Sequence, residues 1–150
     1  MATQHSFRAR LVWSKGGQGS ELGNHRVEFG GRPALEISAA PQYRGDPSKL
    51  NPEELFLASL ASCQMLSYLA LASRAGIEVL AYEDGAEATL AIAERKMRIT
   101  EVVLHPRITV GAATDETRAR ALVDSAHDGC FIANSVACAV RTEPEIVRAA

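Results

Sequence analysis

Cysteine, aromatic side chains and any surplus of charge are all scarce in this chain of 150 residues. The three cysteines stand at positions 63, 130 and 138, an odd count with no CxxC pair. That pattern argues against a disulfide framework and leaves each thiol to be judged by its surroundings. Net charge is -2 with a pI near 6.1, and no run of lysine or arginine occurs. The chain therefore lacks the electrostatic footprint that nucleic acid requires. The opening MATQHSFRAR has no apolar segment after its basic residues, so neither a secretory signal nor a lipidation motif is read there, and a cytoplasmic location is expected. With 47% hydrophobic and 23% charged residues, the composition is that of a soluble globular protein, and the length suits one domain over residues 1–150.

Residues 7 to 13 alternate, with Phe7, Ala9, Leu11 and Trp13 on one side, which predicts a half-buried strand. Two further short extended runs, 25–29 and 34–39, flank Gly30-Gly31 and predict a hairpin, so the first 40 residues read as an antiparallel meander. PQYRGDPSKL, residues 41–50, reads as a loop. Asn51 then suits an N-cap, Pro52 the first helical position and Glu54 the reciprocal half of a capping box, for a helix ending near Arg74 before Gly76. Residues 77–93 and 98–110 predict a long hairpin with bulges. Thr114 is the expected cap of a second, amphipathic helix that stops at Gly129. CFIANSVA reads as a short helical piece, and 139–147 as a last strand that Pro144 confines to an edge or a bulge.

From Leu55 to Ser73 the first helix carries no charge over 19 residues. Its length raises the question of a membrane span, but Ser59, Ser62, Gln64, Ser67 and Tyr68 dilute the stretch and the flanking elements need a soluble core. A helix apolar on nearly all sides must be buried on nearly all sides, which is easier if a second copy of the same helix packs against it. A homodimer is the expectation. Cys63 lies within this helix, where a free thiol commonly packs as a small hydrophobe. Cys130 follows His127-Asp128-Gly129 at a junction where a helix N-terminus favours thiolate, and Cys138, in VACAV, reads as packing.

NPEELFLASLASC, residues 51–63, and SAHDGCFIANSV, residues 125–136, together resemble the OsmC/Ohr family of thiol-dependent peroxidases, and the similarity extends over nearly the whole chain. The resemblance implies an α+β fold of antiparallel sheets around a long buried central helix, in an intertwined homodimer. It implies reduction of organic hydroperoxides by a cysteine pair, with Cys63 as the attacking thiol, Cys130 as the resolving one and Glu53 as the active-site acid. Arg44 resembles the arginine that OsmC-type members carry shortly before NPEE; Ohr-type members carry theirs nearer the N-terminus, so Arg26 and Arg32 stay open. Unlike the Ohr type, this chain has Gln64 rather than an aromatic directly after the first cysteine.

The chemistry asks for such a set independently. A thiolate attacks peroxide oxygen, becomes a sulfenic acid and is captured by a second thiol, and an external dithiol of the dihydrolipoamide kind reduces the disulfide; no metal or other cofactor is needed. Burial raises a thiol pKa, so a positive group is expected beside Cys63. Glu53 and Cys63 are ten residues apart, roughly 15 Å along one helix, and so are expected to meet only across two subunits. Leu55, Phe56, Leu60, Met65, Leu66 and Phe131 suggest an apolar pocket suited to alkyl or lipid hydroperoxides. The competing readings are a non-catalytic member of the same fold that binds an apolar ligand or senses redox state, and a metal site from Cys63, Cys130 and His127, whose spacing is not zinc-like.

Overall fold

In the computed structural model, which describes residues 3–150, the first helix starts as its sequence demands. The Asn51 side chain accepts from the Glu54 N–H at 2.9 Å and the Asn51 N–H donates to the Glu54 carboxylate at 3.1 Å, a complete capping box. Helix α1 spans Pro52–Arg74 and ends where Gly76, at φ 68°, supplies the left-handed residue that stops it. The chain divides into two units within this helix, Met1–Leu55 and Phe56–Ala150.

In the first unit, β1 (Arg10–Val12), β2 (His25–Glu28) and β3 (Leu35–Ile37) form an antiparallel meander, with Leu11 opposite Val27 and Val27 opposite Leu35. Gly30 and Gly31, both at positive φ, turn the β2–β3 connection. The expected half-buried strand over 7–13 shrinks to three exposed residues, and Phe7 is 94% exposed. The reason is position: β1 is an edge strand with one partner, and alternation buries a face only where a layer covers it. Ser38 organises the loop that follows. Its hydroxyl donates to the Leu22 carbonyl at 2.8 Å and accepts from the Asp46 N–H at 2.9 Å. A Cβ at Gly45 would collide with the Ala39 carbonyl, so only glycine fits beside Arg44.

The second unit holds six strands that are in effect three bent ones. β4 (Val79–Asp84) continues through Gly85 into β5 (Glu87–Ala93), β6 (Lys96–Leu104) through His105 into β7 (Pro106–Val110), and β8 (Ala139–Thr142) through Pro144 into β9 (Glu145–Arg148). The resulting sheets are ordered β4-β7-β9 and β5-β6-β8. The long hairpin is present with bulges at Val79/Ala81 and Thr89/Leu90, and it turns on Glu94 and Arg95, both at positive φ. The last strand, expected as one run, is cut in two at Pro144, which cannot donate to a ladder. Its halves pair parallel to β6 and β7, after the crossover through helix α2 (Glu116–Asp128), so the sheets are mixed rather than wholly antiparallel. The N-cap of α2 is Asp115, one residue beyond the expected Thr114, because its carboxylate reaches the N–H groups of both Thr117 and Arg118.

One stripe of α1, Leu60, Gln64, Tyr68 and Ala72, is buried. Leu60 packs with Val102 and Leu104 of β6; Tyr68 and Ala72 pack with Ile108 and Val110 of β7 and with Ala119, Val123 and Ala126 of α2. The expected burial on nearly all sides is not met within the chain: Ala58, Ser59, Ser62, Leu66, Ala70 and Ser73 are exposed. The α+β class stands.

At the bend of the strands the His105 N–H donates to Asp84 Oδ1 at 2.8 Å, while Asp84 Oδ2 is buried without a partner. Burial is the largest influence on the Asp84 carboxyl and pushes its pKa above the ordinary value, against the N–H and the charge of His105. The folded chain thus holds this proton to higher pH than the unfolded chain does. The associated stability is complete below the unfolded pKa and is lost as pH rises through the folded one. Asp84→Asn keeps the acceptor and removes the titration, so it is expected to raise Tm at about pH 7 and to change it little at about pH 3. Calorimetry across that range checks this, and a lower Tm at neutral pH would contradict it.

Candidate active site

Cys63 sits in the middle of α1, one residue before the buried Gln64, and is itself half-buried. Cys130 is 1% exposed and follows Gly129, whose N–H closes α2 on the Ser125 carbonyl at 3.1 Å. The chain then tightens into a 3-10 turn, Ala133–Ser135. Asn134 N–H donates to the Cys130 carbonyl, Asn134 Nδ2 to the Asp128 carbonyl and the Ser135 hydroxyl to the Phe131 carbonyl. The N–H groups of Phe131 and Ile132 in this turn, and the Cys130 thiol, lie close enough to the Cys63 sulfur to act on its acidity. The Ala133 N–H donates to Cys130 Sγ at 3.4 Å. All three cysteines are free thiols.

The two facing thiols differ in acidity. Burial is the largest influence on Cys63 and pushes it up. The Ile132 N–H, the Cys130 thiol, the Phe131 N–H and the Ser67 hydroxyl act the other way and bring it below the ordinary thiol value. For Cys130, burial again leads and pushes upward; the N–H groups of Ala133 and Ile132 oppose it, but the neighbouring Cys63 adds to the rise. The pair therefore joins a thiol of lowered pKa to one of raised pKa. The backbone N–H stabilisation expected at Cys130 is present, from Ala133 and Ile132, but burial outweighs it there, whereas at Cys63 the donors outweigh burial.

Glu53 lies in the first turn of α1, where one carboxylate oxygen is buried without a partner. Arg44 is exposed and caps the 3-10 turn Pro41–Tyr43 at φ 64°. Both belong to the Met1–Leu55 unit, and the thiol pair to the other. Arg26 pairs with Glu28 at 3.3 Å and Glu36 at 3.6 Å, and Arg32 donates to the Phe29 carbonyl. Of the expected apolar pocket, Leu60 is instead core and Leu66 and Phe131 are exposed. Phe56 does line a groove of about 370 Å³ with Arg98, Ile99, Ser135, Val136, Ala137 and Cys138. Cys138 also packs against the Leu60 cluster, in keeping with a packing role. Among the described residues, no group of three His, Cys, Asp or Glu side chains is placed to hold a metal ion.

Three contributors to the Cys63 environment escaped the reading of the sequence. Ser67 carried a signal, its four-residue spacing from Cys63 on one helix. The N–H groups of Phe131 and Ile132 carried none, since backbone donors have no side-chain signature.

Fold and site together define an α+β protein with a facing pair of unlike, free thiols, one on a central helix and one after the crossover helix. The family model described as OsmC-like protein matches residues 45–145, and the chain belongs to that family. The match takes in Glu53, Cys63 and Cys130 and begins one residue after Arg44. An OsmC-like protein of unknown function from Vibrio cholerae is 28% identical, with a TM-score of 0.86 over 95% of this chain and 100% of its own. An organic hydroperoxide resistance protein OsmC from Legionella pneumophila is 23% identical, with a TM-score of 0.72 over 97% and 99% of the two chains. An organic hydroperoxide resistance protein from Elizabethkingia anophelis is 20% identical, with a TM-score of 0.75 over 99% and 100%. No curated protein matches the chain.

The asymmetry of the pair is open to direct measurement. With limiting iodoacetamide at neutral pH, residue-resolved mass spectrometry is expected to find Cys63 alkylated at least about tenfold faster than Cys130. Equal rates, or faster labelling of Cys130, would contradict the assignment.

Proposed function

We propose that this protein is a thiol-dependent peroxidase that reduces organic hydroperoxides to alcohols. The observation that carries the reading is the Cys63–Cys130 pair: a half-buried thiol of lowered pKa facing a buried thiol of raised pKa. The Cys63 thiolate attacks the outer peroxide oxygen. The O–O bond breaks, the alkoxide takes a proton and leaves as alcohol, and Cys63 becomes a sulfenic acid. Cys130 attacks that sulfur, water leaves with the thiol proton, and a disulfide forms. A small dithiol of the dihydrolipoamide kind takes over the disulfide and restores both thiols. The apolar residues beside Cys63 on α1 support an alkyl or lipid substrate over hydrogen peroxide.

The working form in this proposal is a cytoplasmic homodimer. Its support is the exposed, uncharged face of α1, which a second copy would cover. Each site then draws Cys63 from one subunit and Glu53 with Arg44 from the other, since Glu53 and Cys63 stand roughly 15 Å apart along a helix. The buried, unpartnered oxygen of Glu53 suits an acid that waits for such an arginine.

Peroxide consumption with dithiothreitol or dihydrolipoamide tests the chemistry. Cumene hydroperoxide should be consumed faster than hydrogen peroxide; Cys63→Ser should abolish turnover, Cys130→Ser should accumulate sulfenic acid on Cys63, and Cys138→Ser should keep most activity. Unchanged turnover by Cys63→Ser would overturn the proposal. For assembly, light scattering should give twice the 16.1 kDa chain mass. A heterodimer of Cys63→Ser with Arg44→Ala should regain about half the wild-type activity, because one of its two composite sites carries no lesion. An inactive heterodimer would assign all these residues to one chain.

A further inference from the structure

The meander of the first unit holds a pocket of about 550 Å³, within the roughly 300–1,000 Å³ of small-molecule sites, and none of the three cysteines lines it. A row across the three strands forms part of its wall: Val12 of β1 stands opposite Arg26 of β2, and Arg26 opposite Glu36 of β3. Trp13, which follows β1, and Asp46 and Lys49 of the loop before α1 line it as well.

Most of the charge on these walls is already neutralised inside the protein. Arg26 pairs with Glu28 at 3.3 Å and with Glu36 at 3.6 Å. Asp46 accepts from Asn24 Nδ2 at 3.1 Å, from the Ser48 N–H at 2.9 Å and from the Ser48 hydroxyl at 2.6 Å. Lys49 is different. Its backbone is fixed by a turn in which its N–H donates to the Asp46 carbonyl at 3.1 Å. Its side chain is half-buried and, among the described residues, makes neither an ion pair nor a hydrogen bond. Trp13 is 53% exposed, with its ring held by an Nε1–H donation to the Ser20 carbonyl at 3.4 Å. An uncompensated ammonium and an open indole on one pocket match a ligand with one negative charge and one flat apolar ring. Glu36 and Asp46 on the same walls disfavour a second negative charge, which selects a carboxylate over a phosphate.

We infer that this pocket is a binding site for a small aromatic carboxylate, with its ring on the Trp13 indole and its carboxylate on the Lys49 ammonium. No thiol takes part, so the inference stands or falls independently of the peroxidase reading.

Trp13 is the only tryptophan of the chain, so its indole N–H gives a single cross-peak in a proton–nitrogen NMR spectrum of the full-length protein and reports on the pocket directly. Titration with 2-naphthoate is expected to shift that peak saturably. Acetate, which has the charge without the ring, and 2-naphthalenemethanol, which has the ring without the charge, should each bind at least about tenfold more weakly. Lys49→Met removes the charge and keeps an apolar stem; it should weaken 2-naphthoate by at least about tenfold and leave 2-naphthalenemethanol unchanged. Lys49→Arg should retain binding of the carboxylate, and the backbone cross-peaks of each variant verify its fold. An indole peak unmoved by millimolar 2-naphthoate would overturn the inference. So would equal affinity for the acid and the alcohol, or a Lys49→Met variant that binds 2-naphthoate as the parent does.

Discussion

Two buried hydrogen bonds between helices hold the site together. Gln64 Nε2 donates to the Val123 carbonyl and Tyr68 Oη to the Ala119 carbonyl, each at 3.1 Å. The donors are one turn apart on α1 and the acceptors one turn apart on α2, so the pair sets the register between the helices. Both side chains are essentially inaccessible to water, where an orphaned donor costs about 1–3 kcal/mol. Sliding one helix along the other would orphan both at once. Since Cys63 precedes Gln64 and Cys130 follows the end of α2, the same register brings the thiols together. The glutamine that stands where Ohr-type members have an aromatic therefore has a structural task here.

The chemistry at Cys63 is a contest between desolvation and dipoles. Burial alone would leave both thiols protonated and inert toward peroxides. A tight turn after α2 engages its carbonyls with Asn134 and Ser135, and the N–H groups of its Phe131 and Ile132, with two side-chain donors, outweigh burial at one sulfur only. No full charge from this unit is required to explain the asymmetry. The unlike acidities suit a division of labour in which one thiol ionises first and the other stays in reserve.

Those donors keep their aim because of what lies beneath. Leu60 is locked against β6, and Tyr68 and Ala72 against β7, so one helix is anchored on both arms of a bent strand. The bend at His105, with its counterparts at Gly85 and Pro144, lets three strands build two sheets, and α2 crosses over to deliver β8 and β9 parallel to their neighbours. The same crossover carries Cys130 into place.

Local physics made much of this legible from the residues alone. Asn51, Pro52 and Glu54 announce the start of α1 because a capping box lies within four residues, and Gly30-Gly31 announce a hairpin because few residues tolerate positive φ. Pro144 marked a break because it lacks an N–H. The paired motifs around Cys63 and Cys130 marked the family and the thiols. Tertiary structure decided the rest. Alternation over 7–13 could not reveal that no layer covers β1, and Leu60 reads the same whether it lines a pocket or a core. Above all, a cation was expected beside Cys63 because charged side chains are visible in a sequence, whereas the N–H groups of Phe131 and Ile132 acquire a direction only once the chain has turned.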